Sequence, residues 1–101
     1  ALAAGAACTV PTAVVAQVWR AGGARQANLA RLLSGCEPEP LDLELARRAG
    51  ELVARAGAED FVDALVVLGA AARGDTVVTS DPVDIRVLAS AGGSRLRIVT
   101  V

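Results

Sequence analysis

Residues 76–85 read TVVTSDPVDI: a short β-branched run, then two aspartates around a proline. Threonine and valine favour a pleated strand, and Asp-Pro is a common helix opening, so the stretch is a strand-to-helix turn. In open parallel sheets ligands gather just beyond the C-terminal ends of the strands. Asp81 stands at that edge. A structural role is equally specific, because Asp81 as N-cap, Pro82 at N1 and Asp84 at N3 would start a helix over PVDIRVLASAG. The two roles are compatible, since a cap uses one carboxylate oxygen and leaves the other.

Working outward, β-branched runs alternate with helical patterns, which predicts an α/β domain with a mostly parallel sheet. Strands are expected at 7–10, 36–41, 76–79 and 96–101; the second is weak, because Pro38 and Pro40 cannot donate to a ladder. A first helix over 11–20 takes Thr9 or Thr12 as cap and ends at Gly22-Gly23. A second runs over 24–33 and closes at Ser34-Gly35. Asp42 caps a third, reaching Ala56, with Leu45, Ala49, Leu52, Val53 and Ala56 in one apolar stripe. On its outer face Glu44 with Arg48 and Glu51 with Arg55 stand at i,i+4 in the favourable order.

The segment 59–73, EDFVDALVVLGAAAR, is apolar on nearly every face after its first turn, as expected of a helix packed on a sheet and on other helices. Asp63 begins that run. A buried carboxylate is costly unless it is paired, hydrogen-bonded or bound to a cation, although a position in the first turn gains from the helix dipole.

Bulk properties narrow the function classes. The 101 residues suit one domain. Net charge −1 and a pI near 5.3 leave no global field for nucleic acid, so such contact needs a local arginine patch, for which Arg20, Arg25 and Arg31 are candidates. The chain has no histidine, which removes His-dependent acid–base chemistry and His-containing zinc sites. Cys8 and Cys36 lack CxxC spacing and read as two free thiols of a cytoplasmic protein rather than a disulfide. No apolar run is long enough to span a bilayer, and ALAAGAA at the start lacks a charged signal-peptide region and looks helical. Trp19, one turn after Val15, reads as a core or subunit-contact residue.

Together, VPTAVVAQVWR, the helix carrying Asp63 and the turn TVVTSDPVD resemble the PIN-domain ribonucleases, in particular the VapC-type toxins of toxin–antitoxin pairs. The resemblance runs from about residue 7 to 101. It implies a PIN-like, Rossmann-like three-layer domain with a mostly parallel central sheet, lacking the family's first strand. It also implies an endoribonuclease using Mg²⁺ or Mn²⁺ held by acids from several elements. Hard divalent cations prefer oxygen ligands, and a bound ion activates water toward phosphorus. Carried over by position, Asp63 and Asp81 are the catalytic and metal-binding acids, with Thr79 and Asp84 in support. The first family acid has no counterpart among these residues, and Gln17, in AQVWR, stands where the family has glutamate. Two of four acids remain, so the resemblance implies an inactive or weak nuclease, with RNA as substrate, an antitoxin as partner and a homodimer built on 11–33. The strand lacking upstream implies an N-terminally incomplete domain. A non-catalytic module that receives an antitoxin arginine in its acidic pocket is the alternative from another class. An unrelated doubly wound domain, with Asp81 and Asp84 only as caps, is a third.

Overall fold

The computed structural model describes residues 8–101, so the expectation of helix at ALAAGAA and of strand at Ala7 lies outside the described residues. The chain divides into two compact units, Ala1–Leu41 and Asp42–Val101. In the first, strand β1 (Thr9–Pro11) leads through helices α1 (Thr12–Val18) and α2 (Gly23–Leu33) to strand β2 (Glu37–Glu39). β1 and β2 pair in parallel, Thr9 opposite Glu37 and Pro11 opposite Glu39. Pro38 sits opposite Val10, in a strand that is the edge of a two-stranded ladder, where a missing donor is tolerated.

Among its described residues, this unit sequesters little apolar surface. Neither α1 nor α2 contains a buried residue, and among the described residues none of the buried aliphatic side chains lies before Ala49. Trp19 is 47 % exposed, so it is not a core residue of its unit. The expected threonine cap is not made either: Pro11 holds the N-cap position of α1 without a side-chain bond, and Thr9 is drawn into β1. What ties the unit is covalent. Cys8 and Cys36 form a disulfide, which corrects the expectation of two free thiols. The spacing argument failed because the cysteines lie 28 residues apart and meet only through the parallel return of the chain. In the chain-entropy picture, closing a loop of this size stabilises by about 3–4 kcal/mol.

The second unit holds helices α3 (Leu43–Ala56) and α4 (Phe61–Arg73), strand β3 (Val77–Thr79), helix α5 (Pro82–Ala91) and strand β4 (Ile98–Thr100). α3 begins where expected, with the Leu45 N–H donating to Asp42 Oδ1 at 2.8 Å, a cap worth about 1 kcal/mol. Both α3 and α4 end on a left-handed glycine, Gly57 at φ 65° and Gly74 at φ 72°. After each, the next N–H reaches back into the last turn: Ala58 to the Val53 carbonyl at 3.0 Å, Asp75 to the Ala70 carbonyl at 2.9 Å. The three helices pack on one another, and α4 and α5 on the strands.

The core follows the apolar patterns. Ala49 and Leu52 come from the stripe of α3, and Val62, Ala64, Leu65, Val67 and Ala70 from the nearly all-apolar α4. Val77, Ile85, Leu88 and Ala89 complete it. Fully burying one such Leu or Ile is worth about 1.5–3 kcal/mol. The i,i+4 pairs on α3 do not close into ion pairs; among the described residues the ion pair seen is Arg73 Nε to Asp75 Oδ2 at 2.6 Å. Long exposed side chains gain only tenths of a kcal/mol from such contacts and lose rotamer freedom.

β3 and β4 pair in parallel, Val77 opposite Ile98 and Thr79 opposite Thr100, with α5 as crossover. Along β3, Val77 is 4 % exposed and Val78 46 %, so the helices of this unit cover one face of the pair. The α/β class and parallel pairing agree with the sequence reading. Among the described residues the strands form two ladders of two strands each.

Candidate functional site

Three helix and strand ends of the second unit bring acids together. α4 starts at Asp60, whose Oδ1 accepts from the Val62 N–H at 2.9 Å and the Asp63 N–H at 3.2 Å. Those bonds satisfy two of the first-turn donors that a helix leaves unpaired, and they pin Asp63 at the third helical position. Asp63 itself is half-buried, on the turn that leads into the core residues Val62, Ala64 and Leu65.

At the other end, the Val101 N–H donates to the Thr79 carbonyl at 3.0 Å and holds the C-terminal end of β3. The Asp81 N–H then donates to Thr79 Oγ1 at 3.0 Å. The hydroxyl residue ahead of Asp81 thus fixes the turn that carries it. Asp81 occupies the N-cap position of α5, with Pro82 behind it, yet its side chain makes no capping bond. The expected cap is realised in position only. Its carboxylate instead engages Asp84, one turn into α5.

The electrostatics show the convergence. Burial pushes the Asp63 carboxyl above its ordinary 3.8, and repulsion from Asp60, Asp84 and Asp81 adds to it, in that order. The Asp84 carboxyl is also raised, first by its hydrogen bond to Asp81, then by the charge on Asp81, with smaller effects of desolvation and of Asp60. None of these contributions comes from a cation. Asp63, Asp81 and Asp84 therefore share one electrostatic environment, with Thr79 bracing it. Gln17 belongs to α1 in the first unit, where it lines a groove with Arg20, Arg25 and Gln26.

Asp60 is the member that sequence reading missed. Its signal was present: an Asp directly before an apolar helical run, with another Asp three residues on, is a capping pattern. The helix was expected to begin at Glu59, which hid the cap inside it.

An all-oxygen donor set suits a hard divalent ion. Among the described residues, however, no group of three or more His, Cys, Asp or Glu side chains is disposed to hold a metal ion. The donor chemistry fits such an ion, but the carboxylates do not form a metal cage among the described residues. No protein-family model matches the chain, and no curated protein matches it significantly. No helix among the described residues is long and apolar enough to cross a membrane.

A pH consequence follows from the raised carboxyls. With a folded-state value above the unfolded 3.8, the folded chain holds protons more tightly between the two values. The contribution is fully present below 3.8, is lost as pH rises through the folded-state value, and above it leaves only the cost of crowded charges. Asp63→Asn should therefore raise the melting temperature at neutral pH, and that gain should fade on acidification toward 3.8. Melting curves of both proteins across this range check it; a gain independent of pH would mean that Asp63 is not crowded by its neighbours.

Proposed function

We propose that this chain is a PIN-like domain of the VapC type whose acidic site hydrolyses RNA phosphodiesters with Mg²⁺ or Mn²⁺, weakly at best. The observation that carries the reading is the convergence of Asp63, Asp81 and Asp84, from two separate helix starts, into one charged cluster. A bound divalent ion supplies Lewis acidity toward the phosphodiester. Asp63 and Asp81 are its ligands, Asp84 adds charge beside Asp81, and Thr79 orients the turn. By the resemblance, Gln17 stands at the position of a family glutamate and lacks its charge. With glutamine at position 17 in place of a family acid, ion affinity and turnover are low. An antitoxin, a homodimer, a three-layer fold and a cytoplasmic setting belong to the same reading.

A Mn²⁺-dependent cleavage assay on structured RNA tests it. Turnover is expected to be marginal, to rise about tenfold with Gln17→Glu, equivalent to about 1.4 kcal/mol at the barrier, and to vanish with Asp81→Asn. Turnover at the level of an intact nuclease, or insensitivity to both substitutions, would sink the proposal. The second reading is a non-catalytic module that binds a partner's arginine; it needs an acidic cluster but no metal-holding group, and none of the latter is found among the described residues. A guanidinium presents five donors in a planar fork that matches carboxylates, so it can be held without a closed cage of ligands. In that case an arginine-bearing peptide raises the melting temperature where Mn²⁺ does not.

A further inference from the structure

The pairing of Cys8 with Cys36 has a place in the fold that the acidic site does not use. Cys8 directly precedes β1 and Cys36 directly precedes β2. Thr9 is opposite Glu37 in the parallel register, so the two cysteines are the next rung of the same ladder, with Cα atoms 4.6 Å apart. The Glu37 N–H donates to the Cys8 carbonyl at 2.6 Å, so one backbone bond and the disulfide join the strands at the same end. Everything between them, α1 and α2 included, is the closed loop.

Among the described residues, that loop has little else to hold it. Its helices bury no residue, and its strands are three residues each. Where a packed helix pair would have an apolar seam, a groove of about 730 Å³ runs along α1 and α2, lined by Gln17, Arg20, Arg25, Gln26 and Leu29 among others. Gln26 Oε1 accepts from the Arg20 N–H at 2.5 Å, while Gln26 Nε2 is buried without a partner. In the second unit, by contrast, eleven buried aliphatic side chains lock the helices without any covalent link. Neither cysteine is fully buried, and exposed disulfides are the ones open to thiol attack.

We propose that the Cys8–Cys36 disulfide is a redox-operated clasp that keeps the first unit folded, so that its reduction opens residues 9–39 and leaves the second unit intact. The reductant is a dithiol. One of its thiolates attacks a protein sulfur, the Cys8–Cys36 bond breaks and a mixed disulfide forms. That attack releases the other cysteine's sulfur as a thiolate; the reductant's second thiol then attacks the mixed disulfide and releases the protein sulfur held in it. Two electrons and two protons pass to the protein, which ends with two thiols, and the reductant ends as a disulfide. The groove is lost with the loop that builds it. The inference stands on the first unit alone and does not depend on the nuclease reading.

Hydrogen exchange on the full chain, air-oxidised and then treated with dithiothreitol, tests it, with thiol alkylation counting the state. Oxidised protein should label at no cysteine and reduced protein at both. Amides of 9–39 should exchange at least about tenfold faster after reduction, while those of 43–56, 61–73 and 82–91 change less than about twofold. The Cys8→Ser, Cys36→Ser double variant should behave as the reduced protein with no reductant present. Two accessible thiols in the air-oxidised chain, unchanged exchange over 9–39, or equal acceleration in both units would each overturn it.

Discussion

Leu65→Ala should destabilise the protein by about 3 kcal/mol, with a range of about 2–5. Leu65 is 1 % exposed near the middle of α4, the helix that packs on α3, α5 and β3. Removing its side-chain carbons forfeits the transfer free energy of the deleted groups and leaves a void that the surrounding core can fill only in part. For a domain of this size each kcal/mol moves the melting temperature by roughly 4–8 °C, so a fall of over 10 °C is expected. Val83→Ala, on the exposed side of α5 at 64 %, is the matched control and should shift stability by under about 0.5 kcal/mol. Comparable effects at the two positions would show that α4 is not the centre of the core.

The second large effect concerns charge. At an ion concentration about ten times its dissociation constant, binding to the folded state alone stabilises by about 1.4 kcal/mol. Mn²⁺ should therefore raise the melting temperature by several degrees at neutral pH, because the ion relieves the charge repulsion that adds to burial at Asp63 and to the Asp81 hydrogen bond at Asp84. Asp81→Asn removes the charge that faces Asp84 and should abolish most of the shift. Mg²⁺ should act in the same direction at higher concentration. A Mn²⁺ shift that survives Asp81→Asn places the ion elsewhere, and no shift at millimolar ion favours the arginine-binding alternative.

How much of this was legible beforehand depends on how local each determinant is. The turn at 79–84 was readable because strand preference, proline and two aspartates all act within a few residues of one another. The Asp42 cap and the α3 stripe were readable for the same reason, and all four strand locations were found in spite of their short length. The acidic cluster was half legible: Asp63, Asp81 and Asp84 stand out by type and position, whereas Asp60 was absorbed into the helix it actually caps. The ion pairs on α3 show the opposite error, since favourable spacing on an exposed face does not hold long side chains together.

The residue pattern alone determined the α/β class, the element order and which helix faces turn inward, because these follow from periodicity and capping within single segments. Only the tertiary structure decided that Cys8 meets Cys36, that the strands form two parallel pairs, and that four carboxylates from the starts of α4 and α5 press on one another. Each of those depends on where a crossover returns the chain. A return of that kind is set by the sum of many weak contacts over tens of residues, and no short stretch of sequence carries it.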